Sequence, residues 1–217
     1  MIALAAVSKG YRTRNGVKVI LRDADLELPR GRSVALMGIN GAGKSTLLRI
    51  IAGTERPDRG RVSRSARISW PLGSAGGFHG SLSGLENVRF IARIYGADVR
   101  QTIDFVADFA ELGTYFDMPV RTYSSGMRAR LAFGVSMAID FECYLVDEIT
   151  GVGDASFQSK CRAAFQERRS RADVIMVSHS PRTLKSYCQS AVLLQDGSLS
   201  FFDNIDDATA FYAKGLS

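Results

Sequence analysis

The residues Gly38-Ile39-Asn40-Gly41-Ala42-Gly43-Lys44-Ser45 satisfy the pattern G-x-x-x-x-G-K-[ST], a spacing suited to cradling phosphate. Glycines let the backbone wrap so that successive N–H groups point at phosphate oxygens. A helix opening at the same place adds unpaired donors and the positive end of its dipole. Lys44 can reach β- and γ-phosphates as a point charge, and the Ser45 hydroxyl can ligate Mg²⁺. Much further along, Asp147 and Glu148 stand side by side. Asp147 suits Mg²⁺, directly or through water, and Glu148, aimed elsewhere, suits polarising an attacking water. A carboxylate pair at a strand end is also what a solvated turn looks like. Following a phosphate loop, it implies a protein that binds a nucleoside triphosphate with magnesium.

These groups need elements to hold them. The apolar run Val34 to Met37 reads as a buried strand leading into the loop, and Leu47, Leu48, Ile50 and Ile51 space out as the core face of a helix opening at Lys44. Cys143 to Asp147 reads as another buried strand, with its carboxylates at the C-terminal end, where open α/β sheets present ligand contacts. Asp173 to Val177 reads as a third. His179 lies just past its end, where it could touch a γ-phosphate, although a lone histidine also serves structure. Tyr11, in a polar break between two short alternating runs, could stack on a purine or simply pack at a strand edge. Ser124 can cap the helical run that follows it, and Gly126 keeps the backbone open, so a second phosphate-recognising helix end is plausible.

At 217 residues and 46% hydrophobic, the chain has material for one substantial core and too little for two nucleotide-binding halves. The runs from Ile2 to Pro29 read as antiparallel strands. A polar turn at Pro57-Asp58-Arg59-Gly60 leads into a strand from Arg61 to Trp70, with Trp70 expected in the core. The glycine- and serine-rich stretch Pro71 to Gly84 has no hydrophobic period and reads as a lid or a docking surface. Helical spacing at Leu85, Val88, Ile91, Ala92 and Tyr95, then at Ile103, Val106, Phe109 and Ala110, suggests a helical insertion over roughly 83–139. Asp196-Gly197 marks a closing hairpin, and the last helix runs from Asp206 to Lys214. No apolar run reaches the roughly 18 residues a bilayer crossing needs, and no basic region precedes an apolar one at the N-terminus, so a cytosolic location is expected. Cys143, Cys161 and Cys188 are odd in number and widely spaced, which predicts reduced thiols rather than disulfides or a zinc site. The net charge of +6 suits nucleotide, nucleic acid or an anionic membrane face.

Taken in order, these motifs resemble the ATP-binding subunits of ABC transporters, over nearly the whole chain. Gly38 to Thr46, with Asn40, Ala42 and Thr46 included, is similar to Walker A. Ser124, Ser125, Gly126 and Met127 occupy the place of the LSGGQ signature. Cys143 to Glu148 resembles Walker B with its following glutamate. Asp154 stands at the D-loop, His179 at the switch histidine and Tyr11 at the adenine-stacking aromatic. The resemblance implies a P-loop NTPase of the α/β class: a RecA-like parallel core sheet, an N-terminal antiparallel β subdomain and an inserted α-helical subdomain, all forming one nucleotide-binding domain over 1–217.

The wording Tyr-Ser-Ser-Gly-Met, GVGDASF and AGGFHGSLSGLENV is similar to ATPases that export cell-envelope polysaccharide, and SWPLGSAGGF with the chain's brevity looks most like the Gram-negative capsular group. That resemblance implies ATP and Mg²⁺ as ligands, with Glu148 and His179 catalytic. It implies a homodimer in which Ser125 and Gly126 of one copy complete the site held by Lys44 of the other. It also implies docking on membrane permease subunits at the cytoplasmic face of the inner membrane, and through them periplasmic and outer-membrane export proteins, with no nucleic acid as partner. One departure stands out. The family's glutamine between first helix and helical subdomain is missing, since none occurs from Thr54 to Arg100. His79 or the Ser74 to Gly77 backbone could take its place. An O-antigen or teichoic acid exporter, a soluble non-transport ABC ATPase and a P-loop kinase or GTPase are the rival expectations.

Overall fold

The structure, a computed structural model, describes residues 1–14, 16–72, 77–147 and 153–214. The chain divides into two compact units, one of residues 1–71, 141–148 and 172–217, the other of residues 72–140 and 149–171.

The first unit holds two sheets. Strands β1 (Ile2–Thr13), β2 (Gly16–Leu28) and β4 (Arg59–Arg64) form a three-stranded sheet in the order β2-β1-β4, with β1 antiparallel to both neighbours. The β1/β2 hairpin sets Tyr11 opposite Lys18. A register shift kinks it, and there Ala6 and Asp23 adopt φ of 48° and 42°. Side chains fasten the kink: Ala6 N–H donates to Asp25 Oδ1 at 2.8 Å, and Ser8 Oγ donates to Asp23 Oδ1 at 2.8 Å. The six-stranded sheet adds β3 (Val34–Met37), β5 (Ile68–Leu72), β6 (Cys143–Asp147), β7 (Asp173–Val177), β8 (Ser190–Gln195) and β9 (Ser198–Phe202), in the order β5-β6-β7-β3-β8-β9. From β6 to β8 the pairings are parallel, and β9 closes the edge as an antiparallel hairpin about Asp196 and Gly197, whose φ values of 50° and 83° suit a tight primed turn.

The stretch from Arg61 to Trp70, expected as one strand, is two. Its first part pairs with β1 and is largely exposed, whereas β5 belongs to the large sheet and is buried apart from a half-buried Trp70. The switch occurs at Ser65, bonded to Met1, and at Arg67, whose N–H donates to Glu142 Oε2 at 2.8 Å. A strand changes sheets here because its two halves have different partners to satisfy their backbone groups.

Helix α1 (Lys44–Ala52) leaves β3 through the phosphate loop. Its Leu47, Leu48, Ile50 and Ile51 join one apolar cluster with Leu4, Val7 and Leu26 of the antiparallel sheet and with Leu36, Leu145 and Ile175 of the large one. Burying those four helical side chains contributes roughly 6–12 kcal/mol. The C-terminus of α1 is closed by Gly53, whose N–H reaches Ile50 O at 3.1 Å. Arg64 donates to Ile51 O at 2.6 Å and Ile50 O at 2.5 Å. Helices α6 (Pro181–Tyr187) and α7 (Ile205–Lys214) complete the unit.

The second unit is helical: α2 (Gly84–Ile94), α3 (Val99–Ala110), α4 (Ser125–Ala138) and α5 (Ala155–Arg169). A capping box, Ser83 with Glu86, starts α2. Helix α4 has every residue from Leu131 to Met137 buried, so it shows no apolar stripe and sits inside its bundle. Phe109 stacks on Phe133 at 6.1 Å between centroids and meets Phe157 edge-on at 5.7 Å, joining α3, α4 and α5. Among the described residues no helix is long and apolar enough to cross a membrane.

All three cysteines are free and buried, and burial pushes the Cys143 thiol up to about 12 and the Cys161 thiol to about 11. Native protein is therefore expected to resist an aromatic disulfide reagent that labels all three thiols after denaturation; fast labelling of the native state would contradict the packing. Leu47→Ala, at a site with 0% exposure, should lower stability by about 3 kcal/mol in urea unfolding. A loss below about 1 kcal/mol would mean α1 is not held as described.

Candidate nucleotide-binding site

The loop between β3 and α1 is shaped by close approach. Gly38, Gly41 and Gly43 have φ of 149°, 76° and 111°. A Cβ on Gly38 would stand 2.5 Å from the Leu194 carbonyl oxygen, and one on Gly43 would stand 2.3 Å from Ile20 Cγ2. Only glycine fits either place. Gly43 serves as N-cap of α1 with no side-chain cap among the described residues, and the first turn carries no acid. The positive end of the helix dipole, with no acid of its own turn beside it, thus faces whatever anion enters the loop. Lys44 Nζ curls over the loop, donating to Gly38 O at 2.8 Å and Ile39 O at 2.9 Å.

A cleft of about 620 Å³ opens over this loop. Asn40, Gly41, Gly43, Lys44, Ser45 and Thr46 line it together with Asp147 from the end of β6 and His179 beyond the end of β7. The parallel pairing of β6 with β7, Asp147 opposite Val177, delivers these side chains to one end of the sheet. Ser45 is exposed and Asp147 half-buried; a hydroxyl and a carboxylate beside a lysine form a donor set that fits a small, hard, oxygen-seeking cation. Thr46 is buried, its Oγ1 accepting from Arg49 Nη2 at 3.2 Å.

Tyr11 enters the cleft from β1, 37% exposed. Its hydroxyl lies 3.4 Å from Thr46 Oγ1 and donates to Glu55 Oε1. Burial pushes the Glu55 carboxyl up, but hydrogen bonds from Tyr11, Arg49 and Lys9 outweigh it and hold the group below the usual carboxylate range. Lys18 also lines the cleft, its Nζ 3.6 Å from where a Gly41 Cβ would be, a residue the motifs do not include. The signal was in the hairpin: a turn at Thr13 and Gly16 sets Lys18 across from Tyr11 on the same face.

Ser124, Ser125, Gly126, Met127 and Asp154 belong to the second unit. Ser124 caps α4, its Oγ accepting from Met127 N–H at 3.2 Å, and leaves Ser125 and Gly126 exposed in a first turn without acid. Asp154 caps α5, its Oδ1 accepting from Phe157 N–H at 2.9 Å while Oδ2 pairs with Arg130 at 3.0 Å. The bond from the Phe157 backbone, aided by Arg130, holds this carboxyl below its ordinary range. Arg130 in turn stacks over the Phe157 ring at 4.3 Å. Sequence reading missed this capping role of Asp154, although an aspartate just ahead of Ala155 is a helix-start signal. Glu148 lies outside the described residues, as does the Ser74 to Gly77 backbone expected in place of the missing glutamine, apart from Gly77 with its φ of 129°. His79 is described: its N–H donates to Asn87 Oδ1 at 2.8 Å and its carbonyl accepts from Asn87 Nδ2 at 3.1 Å.

Residues 21–151 match the family model described as ABC transporter. The polysialic acid transport ATP-binding protein KpsT of Escherichia coli is 52% identical over 219 residues, covering 100% of both chains. The capsule polysaccharide export ATP-binding protein CtrD of Neisseria meningitidis serogroup B is 45% identical, covering 98% of both. Among solved structures, the dimeric ATP-binding cassette MJ0796, bound to ADP and Pi, aligns with a TM-score of 0.72 over 94% of this chain and 99% of that one. At 22% identity the likeness concerns the fold, and it agrees with the α/β P-loop architecture expected above.

Lys44→Ala should weaken ATP binding by about tenfold or more, the scale of a charge-assisted hydrogen bond, when titrated by calorimetry. Unchanged affinity would remove Lys44 from the phosphate site.

Proposed function

The chain belongs to the ABC transporter family, and from that premise we propose that it is the ATP-hydrolysing subunit that powers capsular polysaccharide export across the inner membrane. The observation that carries this reading is identity of 52% and 45%, end to end, with ATP-binding proteins named for polysialic acid transport and capsule polysaccharide export. In this reading the loop from Gly38 to Thr46 and Lys44 hold the phosphates of ATP, and Tyr11 stacks on adenine. Ser45 and Asp147 would hold Mg²⁺, which supplies positive charge against the β- and γ-oxygens. Glu148 polarises the attacking water, and His179 meets the γ-phosphate.

Each chain carries one phosphate loop and one exposed helix start at Ser124 to Met127. Two copies arranged head to tail let Ser125 and Gly126 of one, with Asp154 of the same unit, complete the site held by Lys44 of the other. ATP then favours the closed pair because only that form makes both sets of contacts, and hydrolysis reopens it. The pair works on two permease subunits at the cytoplasmic face of the inner membrane, and through them on periplasmic and outer-membrane export proteins. Permease contact falls to the helical unit, including the stretch from Gly76 to Leu85 that leads into α2.

Glu148→Gln is expected to keep ATP binding, to lose hydrolysis by about 10²- to 10⁴-fold, and to form a dimer in ATP by light scattering. Ordinary turnover would remove Glu148 as base, and a monomer in saturating ATP would remove the sandwich. In a capsule-forming strain lacking its own ATP-binding subunit, the native chain should restore surface polysaccharide and Lys44→Ala should not. Failure of the expressed native chain to restore any polysaccharide would point to another cargo.

A further inference from the structure

Around Tyr11 the first unit contains a cluster that the nucleotide contacts do not use. Glu55, just past the end of α1, has a side chain only 18% exposed and faces three donors. Its Oε2 accepts from Arg49 Nε at 2.9 Å, its Oε1 lies 3.3 Å from Lys9 Nζ, and the same Oε1 accepts from the Tyr11 hydroxyl. Lys9 is itself fixed, donating to Asp58 Oδ1 and to Arg56 O, each at 3.1 Å. Its ammonium stands 5.3 Å from the centre of the Tyr11 ring, over one face. Gly10 N–H adds a bond to Asp58 Oδ2 at 2.8 Å, tying down the backbone next to Tyr11.

A tyrosine on an exposed strand otherwise keeps rotational freedom, and ordering it costs free energy each time a ligand stacks on it. Here the hydroxyl is held at a carboxylate that two cations already fix, and one ring face lies under Lys9. The ring is oriented before any ligand arrives, in a residue that is 37% exposed and lines the cleft.

We propose that Glu55 is the positioning residue of the base platform: it sets the Tyr11 ring for adenine without touching nucleotide. The inference rests on the stacking role given to Tyr11 above. It also supplies a reason for tyrosine rather than phenylalanine at this place, since only the phenol can be anchored this way.

The test separates base from phosphate binding by using ATP and inorganic tripolyphosphate, each with Mg²⁺, titrated against the full chain. Glu55→Ala is expected to weaken ATP by about tenfold, a share of what base–aromatic stacking supplies. Tripolyphosphate should stay within about twofold, and Glu55→Gln should recover part of the loss, because an amide can still accept the phenol proton. In a Tyr11→Phe background, Glu55→Ala should add less than about twofold, the signature of coupled residues in a double-mutant cycle. Equal weakening of ATP and tripolyphosphate, or an undiminished effect in the Tyr11→Phe background, would make Glu55 a general support of the loop and overturn the proposal. If Glu55→Ala fails to fold, the Gln variant carries the same comparison with a smaller loss. Tyr11→Ala separates the two readings: if it leaves ATP affinity intact, stacking itself is wrong, whereas a loss there with none in Glu55→Ala refutes only the positioning role.

Discussion

The structure depends on a place where backbone approaches too closely for any side chain. At Gly43 the loop presses on Ile20 of the antiparallel hairpin, and at Gly38 it presses on the Leu194 carbonyl of the parallel sheet. These contacts bring β2, β8 and the start of α1 together, with the first turn of the helix opening into the cleft. The energy that holds them there is apolar: Leu47, Leu48, Ile50 and Ile51 are buried in a core that both sheets share. Packing of ordinary hydrophobic kind thus maintains a loop whose own conformation is costly, a common arrangement where backbone must meet ligand.

Charge is distributed around that loop with equal consequence. The opening turn of α1, at that loop, lacks acids, as does that of α4 within the second unit, so neither helix start carries an acid of its own. Acids instead collect beside cations a short distance away, Glu55 with Arg49 and Lys9, and Asp58 with Lys9. A pair with a solvent-exposed partner, such as Lys9 with Asp58, adds little to stability. The consequence of these pairs is geometric, because they hold a tyrosine ring and the hairpin backbone beside it in one arrangement.

In the second unit, candidate functional residues are also helix caps. Ser124 begins α4 and Asp154 begins α5, and Arg130 links the latter to α4 while covering Phe157. A cap is a sound place for a contact residue, since its own backbone is fixed by the helix it starts. Asp154 retains an exposed carboxylate, 67% accessible, so holding α5 does not exhaust its capacity to accept further bonds.

Local pattern carried much of this protein. The phosphate loop, the strands Val34–Met37, Cys143–Asp147 and Asp173–Val177, the Asp196-Gly197 hairpin and the helices of the second unit were legible because each is written in neighbouring residues: glycine where φ is positive, unbroken apolar runs where a strand is covered on both faces, helical spacing where one face is buried. What lay beyond the sequence were choices made between distant segments. The run from Arg61 to Trp70 has strand character throughout, yet it splits because Ser65 bonds Met1 while Arg67 bonds Glu142, each next to a different sheet. Trp70, expected inside, is half-buried at the sheet edge against Phe141 at 5.5 Å. Glu55 carries no motif, and its meaning appears only when β1 returns past the end of α1 and places a phenol on its carboxylate. Periodicity and turn chemistry act over a few residues and so can be read in a line of letters, whereas hydrogen bonding between remote segments depends on how the chain packs.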